Sequence, residues 1–160
     1  MGLKNLIGQG ANYTPAYQAS GTPYVTSSAA TGKNEGPQVV NFPYVTKNIT
    51  IRNLGGVDLR VAFTLSGSYK VGEAVGGGAV KVGTDPRATA YQGNNYFTLP
   101  AESADAAPSQ VMLDARCKQI FLMADHATTN TGYSLYAGLT GISTDQFPVL
   151  SASNGFLGVG

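Results

Sequence analysis

Short stretches in which apolar and polar residues alternate are the feature that most limits what this chain can fold into. The clearest stretch covers residues 57–65. Successive side chains of a strand point to opposite faces, so this alternation predicts a strand with one buried side. The residues predicted to be buried are Val57, Leu59, Val61, Phe63 and Leu65. Those predicted to point outward or toward a neighbour are Asp58, Arg60 and Thr64.

A second alternating run precedes this one at residues 45–52. The residues between the two runs, 53–56, are Asn, Leu, Gly and Gly, which are typical of a tight turn. The pattern therefore predicts a hairpin formed by the two runs.

Further short strands are predicted later in the chain. They correspond to the runs at residues 79–82, 111–114, 117–124 and 133–142. A single helix over residues 111–124 is the alternative. Pro108 before this segment and the turn-forming residues 128–132 after it favour hairpin geometry instead.

Composition excludes a helical bundle. Charged residues make up only 12 % of the chain, about half of the usual share, so there is little material for the exposed side of amphipathic helices. Gly, Pro, Ser, Thr and Asn together supply 65 of the 160 residues. We therefore predict an all-β fold: an antiparallel two-sheet sandwich of jelly-roll or Greek-key topology, with an extended N-terminal arm.

Three regions are expected along the chain. Residues 1–37 are predicted to form the arm, because they contain no charge between Lys4 and Lys33 and show no sustained period of 2 or 3.6. Residues 38–150 form the predicted sandwich, and residues 151–160 a C-terminal tail. The arm is either a floppy terminus or a segment that orders against a neighbouring subunit, with tyrosines as anchors. The candidate partner-binding residues are Tyr13, Tyr17 and Tyr24.

The charge balance argues against several classes of partner. A net charge of +1 and a pI near 7.8 leave no basic surface for nucleic acid or an anionic membrane. No window approaches the ~18 apolar residues of a membrane span, and no secretory signal is recognised. The single cysteine, Cys117, lies in an apolar run and is predicted to be a buried thiol, as expected of folding in a reducing cytosol.

Groups that could carry out chemistry are scarce. His126 is the only histidine, and its neighbour Asp125 would point to the opposite side of a strand, so a coupled Asp–His pair is not expected. One Cys and one His cannot form a zinc site. Glu102 and Asp105 share a loop and could form a glycosidase pair, although a solvated loop is the more common outcome. We expect a protein that is not an enzyme, with no catalytic residues, metal or cofactor.

Low charge also bears on association. Sheet edges and neutral faces usually carry Lys or Glu, which discourage pairing with other chains. A solitary copy of this chain would be poorly protected in this respect. The simplest expectation is that an assembly covers much of the neutral surface, either a symmetric oligomer or a larger lattice.

Three phrases resemble small jelly-roll proteins of virus particles: residues 41–53, 58–61 and 136–142. The resemblance is one of general sequence character and extends over about residues 40–150. It is strongest to the decoration, or cement, proteins on the heads of tailed bacteriophages. This resemblance implies a non-enzymatic protein on the capsid surface of a virion, made in the host cytoplasm. It also implies a homotrimer that binds the major capsid protein through an extended terminus, here the arm with Tyr13, Tyr17 and Tyr24.

Two other functions remain open from the sequence. Exposed Tyr, Asn and Asp side chains are also found in glycan-binding modules of viral fibres or spikes, because aromatic rings stack on sugar rings. A building block of the capsid itself would share the fold without the decorating role.

Overall fold

A computed structural model of the protein describes residues 21–70, 94–102, 109–150, 154–156, 158 and 159. These residues contain eight strands and no α-helix. The strands are β1 (Thr22–Ala30), β2 (Gln38–Asn41), β3 (Tyr44–Asn53), β4 (Leu59–Ala62), β5 (Tyr96–Leu99), β6 (Gln110–Leu113), β7 (Gln119–Ala124) and β8 (Thr131–Ser143). Single turns of 3-10 helix occur at Ser66–Ser68 and Thr144–Gln146.

The strands form two antiparallel four-stranded sheets. Sheet 1 has the order β1-β8-β3-β6, and sheet 2 has the order β2-β7-β4-β5. The first strand pairs with the last, the second with the seventh, the third with the sixth and the fourth with the fifth. This nested pairing is that of a long hairpin rolled into two sheets, which is the jelly roll. The predicted all-β two-sheet sandwich is confirmed.

The core lies between the sheets and is built from alternate residues of each strand. Sheet 1 contributes Ile49 and Ile51 from β3, and sheet 2 contributes Leu59 and Val61 from β4. The predicted inward orientation of Leu59 and Val61 is therefore confirmed. Tyr24, Phe63 and Val111 pack against the margins of the same cluster.

The predicted hairpin of residues 45–52 and 57–65 is wrong, because β3 and β4 lie in different sheets. The chain crosses from one sheet to the other between them. This crossing runs so close to the start of β8 that a Cβ at Gly55 would collide with Thr131. Turn-forming residues allow a tight hairpin and a crossing equally well, so the local pattern could not separate the two.

The segment 111–124 is not a helix, and it is not a hairpin either. It contains two strands, β6 in sheet 1 and β7 in sheet 2, again joined by a crossing. The strand predicted at residues 133–142 is confirmed as β8. The strand predicted at residues 79–82 lies outside the described residues.

The strand predicted at residues 57–65 is shorter than expected. It ends at Ala62, where the chain turns, and Leu65 is 54 % exposed rather than buried. The turn is held by Thr64, whose hydroxyl accepts a hydrogen bond from the backbone N–H of Gly67 at 3.0 Å. Hydroxyl side chains often stabilise turns in this way and so compete with strand pairing. Thr64 is consequently buried instead of pointing outward.

The described part of the predicted arm, residues 21–37, includes a strand of the sandwich. β1 pairs with β8 along its whole length, from Thr22 opposite Leu139 to Ala30 opposite Thr131. Its sequence, TPYVTSSAA, has no alternation of large apolar residues, so nothing local indicated a strand. Residues 1–20 of the arm lie outside the described residues.

Candidate interaction face

The middle of the side of sheet 2 that faces away from the core is covered. Phe121 and Met123 on β7 and Arg60 on β4 lie on this side, yet all three are buried. The turn at Ser66–Ser68 contacts both strands, and Nη1 of Arg60 lies 3.4 Å from the carbonyl oxygen of Ser68. The prediction that Arg60 would reach solvent or a neighbour is therefore wrong, since the chain folds back over it.

The side of sheet 1 that faces away from the core carries exposed apolar residues instead. Strand register places four residues in one row across the sheet: Val25 on β1, Tyr136 on β8, Thr50 on β3 and Met112 on β6. Val25 is 68 % exposed, Met112 71 % and Tyr136 43 %. The result is a band of three exposed apolar side chains across the sheet, with the half-buried Thr50 between Tyr136 and Met112.

The rows on both sides of this band are nearly neutral. One row contains Ser27, Ser134, Arg52 and Gln110, and the other contains Pro23, Gly138 and Asn48. Arg52 is the only charged residue in these rows, and the exposed Asp114 directly follows β6 beside Asn48. The hydroxyl of Ser27 donates a hydrogen bond to the hydroxyl of Ser134 at 3.2 Å, so these two polar groups partly satisfy each other's hydrogen-bonding capacity. We call the three rows together the outer face.

Such a face is unusual for a surface that stays in water. The solvent side of an antiparallel sheet is normally polar, in alternation with the apolar core side. Exposed apolar residues that are contiguous and surrounded by polar ones are typical of interaction sites. The geometry of the outer face is suited to flat, largely uncharged contact with another protein surface.

Of the residues predicted to bind a partner, only Tyr24 lies within the described residues. Tyr24 lies on β1, but its ring turns to the core side and packs edge to face against Phe42, with 5.4 Å between ring centroids. Its neighbour Val25 lies on the outer face instead. Tyr13 and Tyr17 lie outside the described residues.

The only buried arginine among the described residues belongs to a cluster of charges at the end of β7. A carboxylate oxygen of Asp125 lies 2.6 Å from Nη2 of Arg60 and 3.0 Å from Nζ of Lys33. The guanidinium of Arg60 also lies 4.5 Å from the centre of the Tyr96 ring. Partial burial would raise the pKa of Asp125, but the hydrogen bonds from Arg60 and Lys33 outweigh it and hold that pKa below its usual value. The cluster anchors the covered side of sheet 2.

His126 is not coupled to this carboxylate. Its Nδ1 accepts hydrogen bonds from the backbone N–H groups of Thr128 and Thr129, at 3.3 and 3.0 Å. Asp125 and His126 thus serve two separate structural purposes: Asp125 forms a partly buried ion pair, and His126 caps a turn.

Cys117 is a buried thiol, as predicted. Burial raises its pKa to about 11, although a hydrogen bond with Thr46 acts in the opposite direction. A thiol with this pKa is almost entirely protonated at neutral pH, and the thiolate is the form that reacts. Its surroundings are those of a packing residue.

Other candidate sites find little support in the part of the chain that the structure describes. Within those residues no three metal-ligating side chains come together. Glu102 is exposed, while Asp105, its suggested partner, falls outside the described ranges. Nor does any described helix have the length and apolar character needed to cross a membrane.

Comparison with known proteins gives no relatives: no family model, curated protein or solved structure matches this chain.

The residues of the outer face were not found by sequence reasoning. Val25, Thr50, Met112 and Tyr136 are separated by tens of residues in the chain and meet only through strand register. The one available signal was general, namely the low share of charged residues in the chain.

Proposed function

We propose that this protein is a non-enzymatic structural protein of a virion, which decorates and stabilises a viral capsid by binding the major capsid protein and its own copies. The observation that carries the proposal is the outer face, an apolar band between nearly neutral rows on a jelly-roll sheet. The resemblance to head decoration proteins of tailed bacteriophages supports the same role.

The outer face suits attachment to a shell for an energetic reason. Burying about 300 Å² of apolar surface contributes roughly 7 kcal/mol before the costs of association are subtracted, at about 25 cal/mol per Å². A single contact of this kind is weak. A capsid presents many identical sites at high local concentration, so copies that also touch one another are retained by multivalency.

A test of the proposal measures attachment to empty phage heads that lack the decorating protein. Met112→Lys and Tyr136→Lys each put a charge into the apolar band, and we expect binding at least about tenfold weaker, since a lysine buried at an interface must lose its hydration. The matched control is Val39→Lys, which changes an exposed apolar residue on sheet 2. Heads and bound protein are separated from free protein by sedimentation.

Two results would contradict the proposal. In the first, Met112→Lys and Tyr136→Lys bind heads as tightly as the unmodified protein. In the second, the protein ignores heads altogether and binds sugars on a glycan array, which would favour a glycan-binding module.

The arm is tested by a separate deletion. Removing residues 1–20 leaves β1 intact, whereas a longer deletion through residue 32 would remove an entire strand of sheet 1. If Tyr13 and Tyr17 contact the shell, the shorter deletion is expected to weaken attachment at least about tenfold without changing the thermal unfolding midpoint. Undiminished attachment would remove the arm from the proposal.

A further inference from the structure

Among the described residues, β1 forms one free edge of sheet 1. At nine residues, β1 is the longest edge strand described, since β2, β5 and β6 have four residues each. It contains no charged residue. Natural proteins usually protect exposed edges by keeping them short or by placing Lys or other charges on them. Apart from Pro23 near its start, β1 has neither kind of protection.

Hydrogen bonds of the neighbouring strand define which backbone groups of β1 are available. In β8, the N–H of Gly138 donates to the side-chain Oδ1 of Asn48, and the C=O of Gly132 accepts from the N–H of Leu54, so the even-numbered residues of β8 point to the β3 side. The odd-numbered residues of β8 therefore point to β1, where their partners are even-numbered.

It follows that the odd-numbered residues of β1 direct their backbone groups away from β8. These residues are Pro23, Val25, Ser27 and Ala29. Pro23 fits this assignment, because a proline is tolerated in an edge strand where its missing N–H would face outward. Thr31 fits it as well, since its carbonyl accepts a hydrogen bond from Ala124 of β7 rather than from β8. Three N–H donors, those of Val25, Ser27 and Ala29, thus line the free edge.

We infer that β1 pairs with β1 of a second copy of this chain, in antiparallel orientation about a two-fold axis, so that sheet 1 continues across two molecules. This two-fold pair is distinct from the homotrimer that the resemblance implies. A two-fold axis places the strand opposite itself, and any charge on it would meet a like charge. The absence of charge from all nine residues makes β1 compatible with its own copy. The inference therefore depends on the compatibility of β1 with its own copy and not on attachment to a capsid shell.

The position of proline selects the register. With Ser27 opposite Ser27 of the second copy, Val25 pairs with Ala29, and all three donors of each strand find a carbonyl. A register centred on Val25 would instead place Pro23 opposite Ser27, where one hydrogen bond could not form. We therefore assign the two-fold axis to Ser27.

The experiment measures self-association of the full chain by analytical ultracentrifugation over a concentration series. Ser27→Lys puts two lysines opposite each other at the axis, and we expect a dimer dissociation constant at least about tenfold higher. The matched control is Gln110→Lys, which changes an exposed residue of the same row on β6, at the opposite edge of sheet 1. It should leave dimerisation unchanged. Circular dichroism verifies that both variants remain folded.

Amide hydrogen exchange provides a second measurement. The N–H groups of Val25, Ser27 and Ala29 should become protected from exchange as the protein concentration rises. The even-numbered residues between them point their backbone groups to β8, so their N–H groups should stay protected at every concentration. These amides serve as the internal reference for exchange in the folded protein.

Three results would overturn the inference. In the first, the protein stays monomeric at all concentrations and the amide hydrogens of Val25, Ser27 and Ala29 exchange fast, which would mean that the edge is unpaired. Protection of these amides in a monomer would mean that another part of the same chain occupies the edge. Dimerisation that survives Ser27→Lys, and also Ser27→Pro, would place the contact elsewhere. None of these results bears on shell attachment, which is measured separately with Met112→Lys and Tyr136→Lys.

Discussion

Replacing Asn53 with alanine is expected to lower the free energy of unfolding by about 3 to 4 kcal/mol, because the substitution leaves several buried polar groups without partners. Asn53 is fully buried at the end of β3, where the chain leaves sheet 1. This is the largest effect that we expect from a single substitution outside the apolar core.

The size of the effect follows from the contacts of the Asn53 side chain. Its Nδ2 lies 2.9 Å from the carbonyl oxygen of Val57, 3.2 Å from that of Leu99 and 2.9 Å from that of Pro100. Its Oδ1 accepts hydrogen bonds from the hydroxyl of Thr131 at 3.0 Å and from the N–H of Gly55 at 3.1 Å. One amide therefore joins the crossing after β3, the end of β5 and the start of β8.

The measurement is urea unfolding followed by circular dichroism. Asn41→Ala, at an exposed position of β2, is the matched control and should change stability by less than about 0.5 kcal/mol. If Asn53→Ala proved as stable as Asn41→Ala, the network would not be what holds the crossing in place.

Replacing Asp125 with asparagine is expected to lower stability at neutral pH by about 2 kcal/mol, because it removes a carboxylate that pairs with a buried guanidinium. This guanidinium is that of Arg60, which is only 2 % exposed. Breaking a fully buried ion pair costs more than this, and the smaller figure allows for the partial exposure of Asp125.

The same ion pair predicts a dependence on pH. The pKa of Asp125 is lower in the folded protein than its usual value of 3.8, so its ionised form is stabilised by folding. This contribution is complete above the unfolded pKa and is lost as the pH falls from there through the lower folded pKa. Asp125→Asn should remove this part of the acid sensitivity.

Urea unfolding at neutral pH and at several acidic pH values tests both the loss of stability in Asp125→Asn and its dependence on pH. Asp114→Asn, at an exposed position directly after β6, is the matched control. A difference between the unmodified protein and Asp125→Asn that stays constant down to strongly acidic pH would contradict the assigned shift.

Much of the strand content was predictable from local pattern. Residues 117–124 and 133–142 alternate or run apolar because one side of each strand meets the core, and this requirement is visible in any short window. The low share of charged residues excluded a helical bundle for an equally simple reason. Leu59 and Val61 could be assigned to the core because their side of β4 follows from spacing alone.

Other elements could not be predicted because their environment is set by distant residues. β1 was hidden because its side chains are mostly small or polar, and its stability as a strand comes from pairing with β8, more than a hundred residues later. Arg60 could not be recognised as buried, since what covers it is a turn that begins after the strand ends.

The sequence by itself determined three properties. The chain is built from short strands, one side of each strand faces a core, and the share of charged residues is too low to discourage association. Only the tertiary structure decided which strands share a sheet, and therefore that Val25, Thr50, Met112 and Tyr136 form one band. The physical reason is that alternation fixes the side to which a residue points, whereas its neighbours across the sheet depend on pairing between remote segments.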